Sequence, residues 1–128
     1  MLLSRPYVMD TRTDETAWKT VLVGCRWWGE RLATAIVDCP LATLTAVVDR
    51  VPERAESLAD THDIEAFTAV EDALDQTAVD VAVLAVPPEE HAAVTTYCLD
   101  SGVHVYLEKP AGAIDDPDEI LRLGELAN

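Results

Sequence analysis

The sequence predicts a three-layer α/β domain built on a doubly wound parallel sheet. Three observations point there. Short apolar runs rich in valine recur at residues 20–23, 44–48, 79–86 and 103–107. Runs of this kind, apolar on both faces, suit parallel strands buried between helices. Segments with helical spacing separate them, and that alternation implies right-handed crossovers.

The elements follow in order. Residues 1–17 are polar and aperiodic, and read as a flexible tail ahead of a folded domain over 18–128. A helix is expected over 30–39, with Leu32, Ala35, Ile36 and Cys39 on one face. The next helix, 52–60, opens on Pro52, a residue favoured in the first turn. Residues 64–67 form a short third strand, and 70–76 a short helix. A longer helix, 89–101, stops at Gly102, which suits a helix C-terminus. The last helix is capped by Asp116 and opened by Pro117. Its apolar stripe is Ile120, Leu121, Leu123 and Leu126.

Composition limits the function classes. A chain of 128 residues forms one domain, large enough to bury a core without disulfides or metals. No apolar run approaches the roughly 20 residues needed to span a bilayer. The start lacks the pattern of a signal peptide, so a cytoplasmic location and no membrane partner are expected. The net charge of −15 repels phosphate backbones and argues against nucleic-acid partners. Lysine occurs only at Lys19 and Lys109. Acid excess with so little lysine is halophile-like, since molar salt screens the self-repulsion. Cys25, Cys39 and Cys98 are odd in number and form no C-x-x-C pair. They read as reduced thiols, with no metal site.

The first strand runs into Gly24-Cys25-Arg26-Trp27-Trp28-Gly29 and then a helix. A strand, a tight glycine turn and a helix start aim backbone N–H groups at a pyrophosphate. Gly24 and Gly29 hold the first and third positions of the G-x-G-x-x-G fingerprint, and Arg26 holds the second. Its side chain lengthens the approach of a ligand, or contacts phosphate itself. A purely structural turn remains the other reading of this loop. The second strand ends in Asp49, about 20 residues after Gly29, where an acid accepts ribose hydroxyls and favours NAD. Arg50 follows and could stack on adenine or pair with a 2′-phosphate, so NADP stays possible. An ordinary turn acid is the alternative for Asp49.

The fourth strand ends in Val86-Pro87-Pro88-Glu89-Glu90-His91, and the fifth is followed by Glu108-Lys109-Pro110. Both lie at the C-terminal edge of the sheet, where such folds bind ligands. Together, GCRWWG, VVDR, VAVLAVPPEEHAA and GVHVYLEKPAG resemble the glucose-fructose oxidoreductase, inositol dehydrogenase and rhizopine-catabolism family, written Gfo/Idh/MocA. The turn also resembles that of thiazolinyl imide reductases.

The resemblance implies a Rossmann-type domain binding NAD, with NADP possible, at the N-terminus of an oxidoreductase. Gly24, Cys25, Arg26, Trp27, Trp28 and Gly29 would surround the pyrophosphate, and Asp49 and Arg50 the adenosine. Pro87, Pro88 and His91 would line the nicotinamide side. Glu108, Lys109 and Pro110 form the family's EKP motif, with Lys109 the catalytic residue that tunes a proton transfer. The Lys109–Pro110 peptide is a candidate cis bond.

Simpler readings stand beside these. Alone, His91 would be a solvated first-turn residue and Lys109 a surface lysine. His104 would pack beside the sheet, Trp27 and Trp28 would anchor structurally, and Cys25 has nothing that clearly activates it.

Family enzymes continue into a C-terminal α/β domain that holds the substrate, and this chain is expected to lack it. Hydride transfer to a sugar or polyol is therefore implied for a complete enzyme. The alternatives are a non-catalytic nucleotide-binding module, or a fragment needing a separate substrate-domain chain. A sheet edge left bare beyond the fifth strand would favour homo-oligomers. The charge makes the first prediction: the melting temperature should rise as KCl is raised from millimolar to molar. A melting curve indifferent to salt would remove the halophile-like reading.

Overall fold

The computed structural model describes residues 2–3, 17–107 and 117–127. In chain order its elements are β1 (Leu2–Leu3), β2 (Trp18–Val23), α1 (Trp27–Asp38), β3 (Ala42–Val48) and α2 (Pro52–His62). They continue with β4 (Glu65–Phe67), α3 (Val70–Gln76), β5 (Val81–Leu84), α4 (Pro88–Asp100), β6 (His104–Leu107) and α5 (Pro117–Ala127). The strands form one sheet in the order β1-β6-β5-β2-β3-β4. All pairings from β6 to β4 are parallel, and β1 alone runs antiparallel. The expected doubly wound α/β sheet is therefore present, with β2 at its centre.

Alternating side chains on the strands divide the core in two. Leu22 faces α1 and α2, packing with Ala33, Val47, Ala55, Leu58 and Val83. Its neighbours Val21 and Val23 face the other way, into a layer with Ala73, Leu84, Cys98, Val105 and Leu107. Ile120 of α5 packs on that second layer. Both faces of the central strands are thus removed from water, which is why their sequences read as unbroken apolar runs.

Local chemistry sets the element ends. Asp80 N–H donates to the Lys19 carbonyl at 2.7 Å, and Lys19 N–H donates to the Asp80 carboxylate at 2.9 Å. This exchange ties the starts of β2 and β5 together. Between β2 and β3 the register shifts at Thr20/Val21, and Thr45 Oγ1 donates to the Thr20 carbonyl across the irregularity. Asp63 ends α2 in the left-handed region, with φ of 54°, a conformation Asp tolerates better than most side chains.

Three expectations change. α1 begins at Trp27, not at residue 30, so the turn after β2 is only Gly24-Cys25-Arg26. Arg26 is the extended residue that opens the helix, at φ −77° and ψ −173°. The segment expected as a tail differs at both its ends: Ala17 is buried, and Leu2–Leu3 pair with Tyr106 and Val105 of β6. The edge of β6 is therefore occupied by the chain itself, which removes the bare-edge argument for oligomers. The expected Asp116 cap lies outside the described residues.

Leu22 is fully buried at the centre of one layer. Leu22→Ala should cost roughly 2–5 kcal/mol, read as a lower urea midpoint at unchanged slope. A midpoint shift within error would show that this layer collapses around the missing atoms.

Candidate dinucleotide-binding site

The C-terminal ends of β2, β3 and β5 converge on Gly24. Gly24 N–H donates to the Val48 carbonyl at 2.8 Å, and Ala85 N–H to the Val23 carbonyl at 2.7 Å. Gly24 sits at φ +106°, where other residues are strained, and a Cβ there would collide with the Ala85 carbonyl. Gly29 lies in the first turn of α1, and a Cβ there would collide with the Gly24 carbonyl. Both glycines are therefore needed for one reason: they let the helix start press onto the end of β2. Arg26 makes no side-chain cap, so the first-turn N–H groups of α1 receive no donor-quenching side chain from that residue.

Around this turn the expected residues take distinct places. Arg26 is exposed. Trp27 and Trp28 are 63% and 44% exposed, with ring centroids 5.9 Å apart. They do not anchor in the core, which corrects the structural reading. Instead the Arg31 guanidinium covers the Trp27 ring at 4.5 Å. Cys25 is buried and its thiol donates to the Val48 carbonyl at 3.4 Å. Burial, and then the neighbouring Asp49 carboxylate, pushes that thiol up to about 12. Cys25 is thus a protonated packing residue rather than a nucleophile.

Asp49 is only 7% exposed. Its Oδ2 accepts from the Cys25 N–H at 2.9 Å. Its Oδ1 accepts from the Val51 N–H at 2.9 Å and from Arg54 Nε at 3.1 Å, with Arg54 Nη2 at 3.0 Å. Burial opposes ionisation, but the Val51 and Cys25 N–H groups and the Arg54 guanidinium outweigh it. They hold the carboxyl below its ordinary value. Sequence reasoning missed Arg54. Its signal was available: an arginine just behind Pro52, in the first turn of the helix that follows Asp49.

Arg50 is exposed and its Nε lies 3.6 Å from Glu90 Oε1. Because β2 lies between β3 and β5, this pair reaches across the turn after β2. Glu90, in the first turn of α4, is the second residue the sequence did not single out. Pro87 caps α4 in an extended conformation and Pro88 opens it. His91 is 2% exposed, which overturns the solvated reading of it. Its Nε2 lies 2.9 Å from the Val86 carbonyl, which can only accept, so Nε2 carries the proton. His91 thereby braces the turn that leaves β5. His104 lies at the opposite end of the sheet, its ring edge-on to Trp18 at 5.5 Å, as expected of a packing residue. Glu108, Lys109 and Pro110, with the candidate cis peptide, lie outside the described residues. β6 ends at Leu107, on the same edge as the Gly24 turn.

The arrangement fits a dinucleotide: a glycine cradle without Cβ atoms, an uncapped helix start, and an ionised carboxylate at the end of the neighbouring strand. The chain also matches, over residues 18–128, the model of the Gfo/Idh/MocA oxidoreductase family, NAD-binding Rossmann fold. The chain belongs to this family. An inositol 2-dehydrogenase of Leifsonia xyli subsp. xyli is 36% identical over 85 residues, 66% of this chain and 24% of the relative. The chain thus spans about a quarter of the length of the curated relatives it matches.

Among solved structures, GenD2 from gentamicin A biosynthesis, in complex with NAD, superposes with a TM-score of 0.83 at 23% identity. That match covers 95% of this chain and 34% of the other, and shows the shared fold. A 3-ketoreductase from Actinomadura kijaniata, in complex with TDP-benzene and NADP, gives 0.79 at 25% identity, covering 87% of this chain and 35% of the other. The family is NAD-binding, and the structural neighbours include proteins crystallised with either dinucleotide. Among the described residues, no helix is long and apolar enough to cross a membrane.

The thiols make this site testable without ligand. Cys98 is also buried, and burial pushes its thiol up to about 12. Cys39 is half-buried. At pH 8, an aromatic disulfide reagent should label one thiol per native chain promptly, and three after unfolding in denaturant. Prompt labelling of Cys25 would contradict the buried turn.

Proposed function

We propose that this chain is the cofactor-binding domain of an NAD(P)-dependent oxidoreductase that acts on a polyol or sugar. The observation that carries the proposal is the cradle of Gly24 and Gly29 beside Asp49, in a chain of an NAD-binding family. Gly24, Cys25, Arg26 and the first-turn N–H groups of Trp27, Trp28 and Gly29 receive the pyrophosphate. Asp49 and Arg50 lie at the adenosine end. The Arg50–Glu90 pair is exposed on the Arg50 side, and surface pairs of this kind contribute roughly 0–1 kcal/mol, so opening it for a ligand costs little.

Pro87, Pro88 and His91 form the wall of the nicotinamide side, with His91 holding the Val86 turn in place. Glu108, Lys109 and Pro110 follow Leu107, the end of β6, in the sequence, and the family's EKP motif assigns them to that side. When bound, the dinucleotide supplies the hydride acceptor or donor. Lys109, the residue assigned to catalysis, takes up or stabilises the proton released as a substrate hydroxyl becomes a carbonyl. Relatives named inositol 2-dehydrogenase make a cyclic polyol the favoured substrate class.

Because the chain spans a quarter of those relatives, the residues that select the substrate are assigned to a further domain or a partner chain. The second reading is a nucleotide-binding module without catalysis, in which the same glycine cradle serves binding alone. A cytoplasmic location accords with the absence of a membrane-spanning helix among the described residues.

Calorimetric titration with NADH tests the cofactor site. Saturable binding is expected, and Gly24→Val should abolish it by filling the cradle. Lys109→Ala should leave binding within a few-fold while removing any polyol oxidation. No binding of NADH to the folded chain would overturn the proposal. Binding without turnover on any polyol, with the complete protein, would favour the module.

A further inference from the structure

Asp49 is held in a way that changes what an acid at this position does. In a dinucleotide site, a free carboxylate at the end of the second parallel strand accepts ribose hydroxyls and repels a 2′-phosphate. Here Oδ1 already takes the Val51 N–H and two nitrogens of Arg54, so it is saturated. Among the described residues, Oδ2 takes only the Cys25 N–H and keeps a lone pair. Asp49 can therefore accept a hydroxyl through one oxygen rather than both. The guanidinium of Arg54, in the first turn of α2, also lies directly against the carboxylate and offsets its charge at short range. Arg50 adds a second, exposed cation next door, held at 3.6 Å from Glu90.

From this geometry we infer that Arg54 is a specificity-determining positioning residue: by pairing with Asp49 it lets the site take NADP as well as NAD. The inference rests on the dinucleotide site proposed above and goes beyond it. The repulsion between Asp49 and a 2′-phosphate is offset by a cation already in place, and Arg50 can leave Glu90 to meet the phosphate. Arg54 itself keeps the carboxylate in one orientation, with Oδ2 turned to the Cys25 amide. The pairing joins the α2 start to the turn after β2, so the preference belongs to two loops at once rather than to Asp49 alone.

The test compares NADH and NADPH dissociation constants for the chain and for two variants, by calorimetry at low salt. In the unaltered chain the two constants should agree within about tenfold. Arg54→Gln keeps a donor but removes the charge, and should weaken NADPH relative to NADH on the order of tenfold. Arg54→Lys restores the cation and should restore the ratio. A general loss of structure would weaken both cofactors together and leave their ratio unchanged. An unchanged ratio in Arg54→Gln, or an unaltered chain that excludes NADPH, overturns the role of Arg54 while leaving the site intact. Failure of both cofactors to bind the unaltered chain overturns the site itself.

Discussion

Gly29 can stand where it does only because it has no side chain: a Cβ would occupy the space of the Gly24 carbonyl oxygen. Gly24 is constrained in turn by the carbonyl of Ala85, which follows the end of β5. These two contacts place the start of α1 against the ends of β2 and β5 at once. Everything proposed for the site depends on this packing. It brings the first-turn N–H groups of a helix to the sheet edge, where helix N-termini attract anions. Arg26, the middle position of the fingerprint, lies on the exposed outside of that contact and has no close approach to make. A side chain is tolerated there for the same reason that none is tolerated at Gly24 or Gly29.

Asp49 is the second fixed point. Its carboxylate ties the turn after β2, through Cys25, to the start of α2, through Val51 and Arg54. A buried carboxylate is stable only when its charge is offset and its oxygens are hydrogen-bonded, and these partners do that. The same partners limit what it offers a ligand. In the proposed site, cofactor recognition at this end would belong to a network, with Arg54 and Arg50 as its positive members and Glu90 as the counter-charge of the latter. His91 plays a comparable bracing part on the other side, where its imidazole secures the Val86 turn.

Much of this was legible in the chain itself. Helix α3 spans the residues its spacing predicted, α4 is shifted by one residue at each end, and α5 opens on Pro117 as expected. The family resemblance drawn from the glycine turn and the EKP string holds over residues 18–128. The misreadings share a cause. At Trp27, Trp28 and His91 residue type suggests one environment and the fold gives another, because type does not report burial: two large aromatics are exposed while a first-turn histidine is enclosed. The tail was judged by polarity, yet Leu2–Leu3 pair with β6 through backbone groups that polarity does not reveal. A strand of two residues has no period for a sequence to show.

By itself the sequence determined the class of fold, the strand-to-helix rhythm and the glycine and acid positions of the proposed dinucleotide site. These follow from local periodicity and short spacings, which are written in the chain. The tertiary structure decided what each of those residues is free to do. Whether Asp49 has an oxygen to offer, whether Cys25 can ionise and whether the β6 edge is open all depend on groups distant in the chain. Arg54 meets Asp49, Cys25 lies under the end of β3, and residues 2–3 reach a strand that begins at 104. Such contacts are set by how the two layers close over the sheet, and no local pattern encodes them.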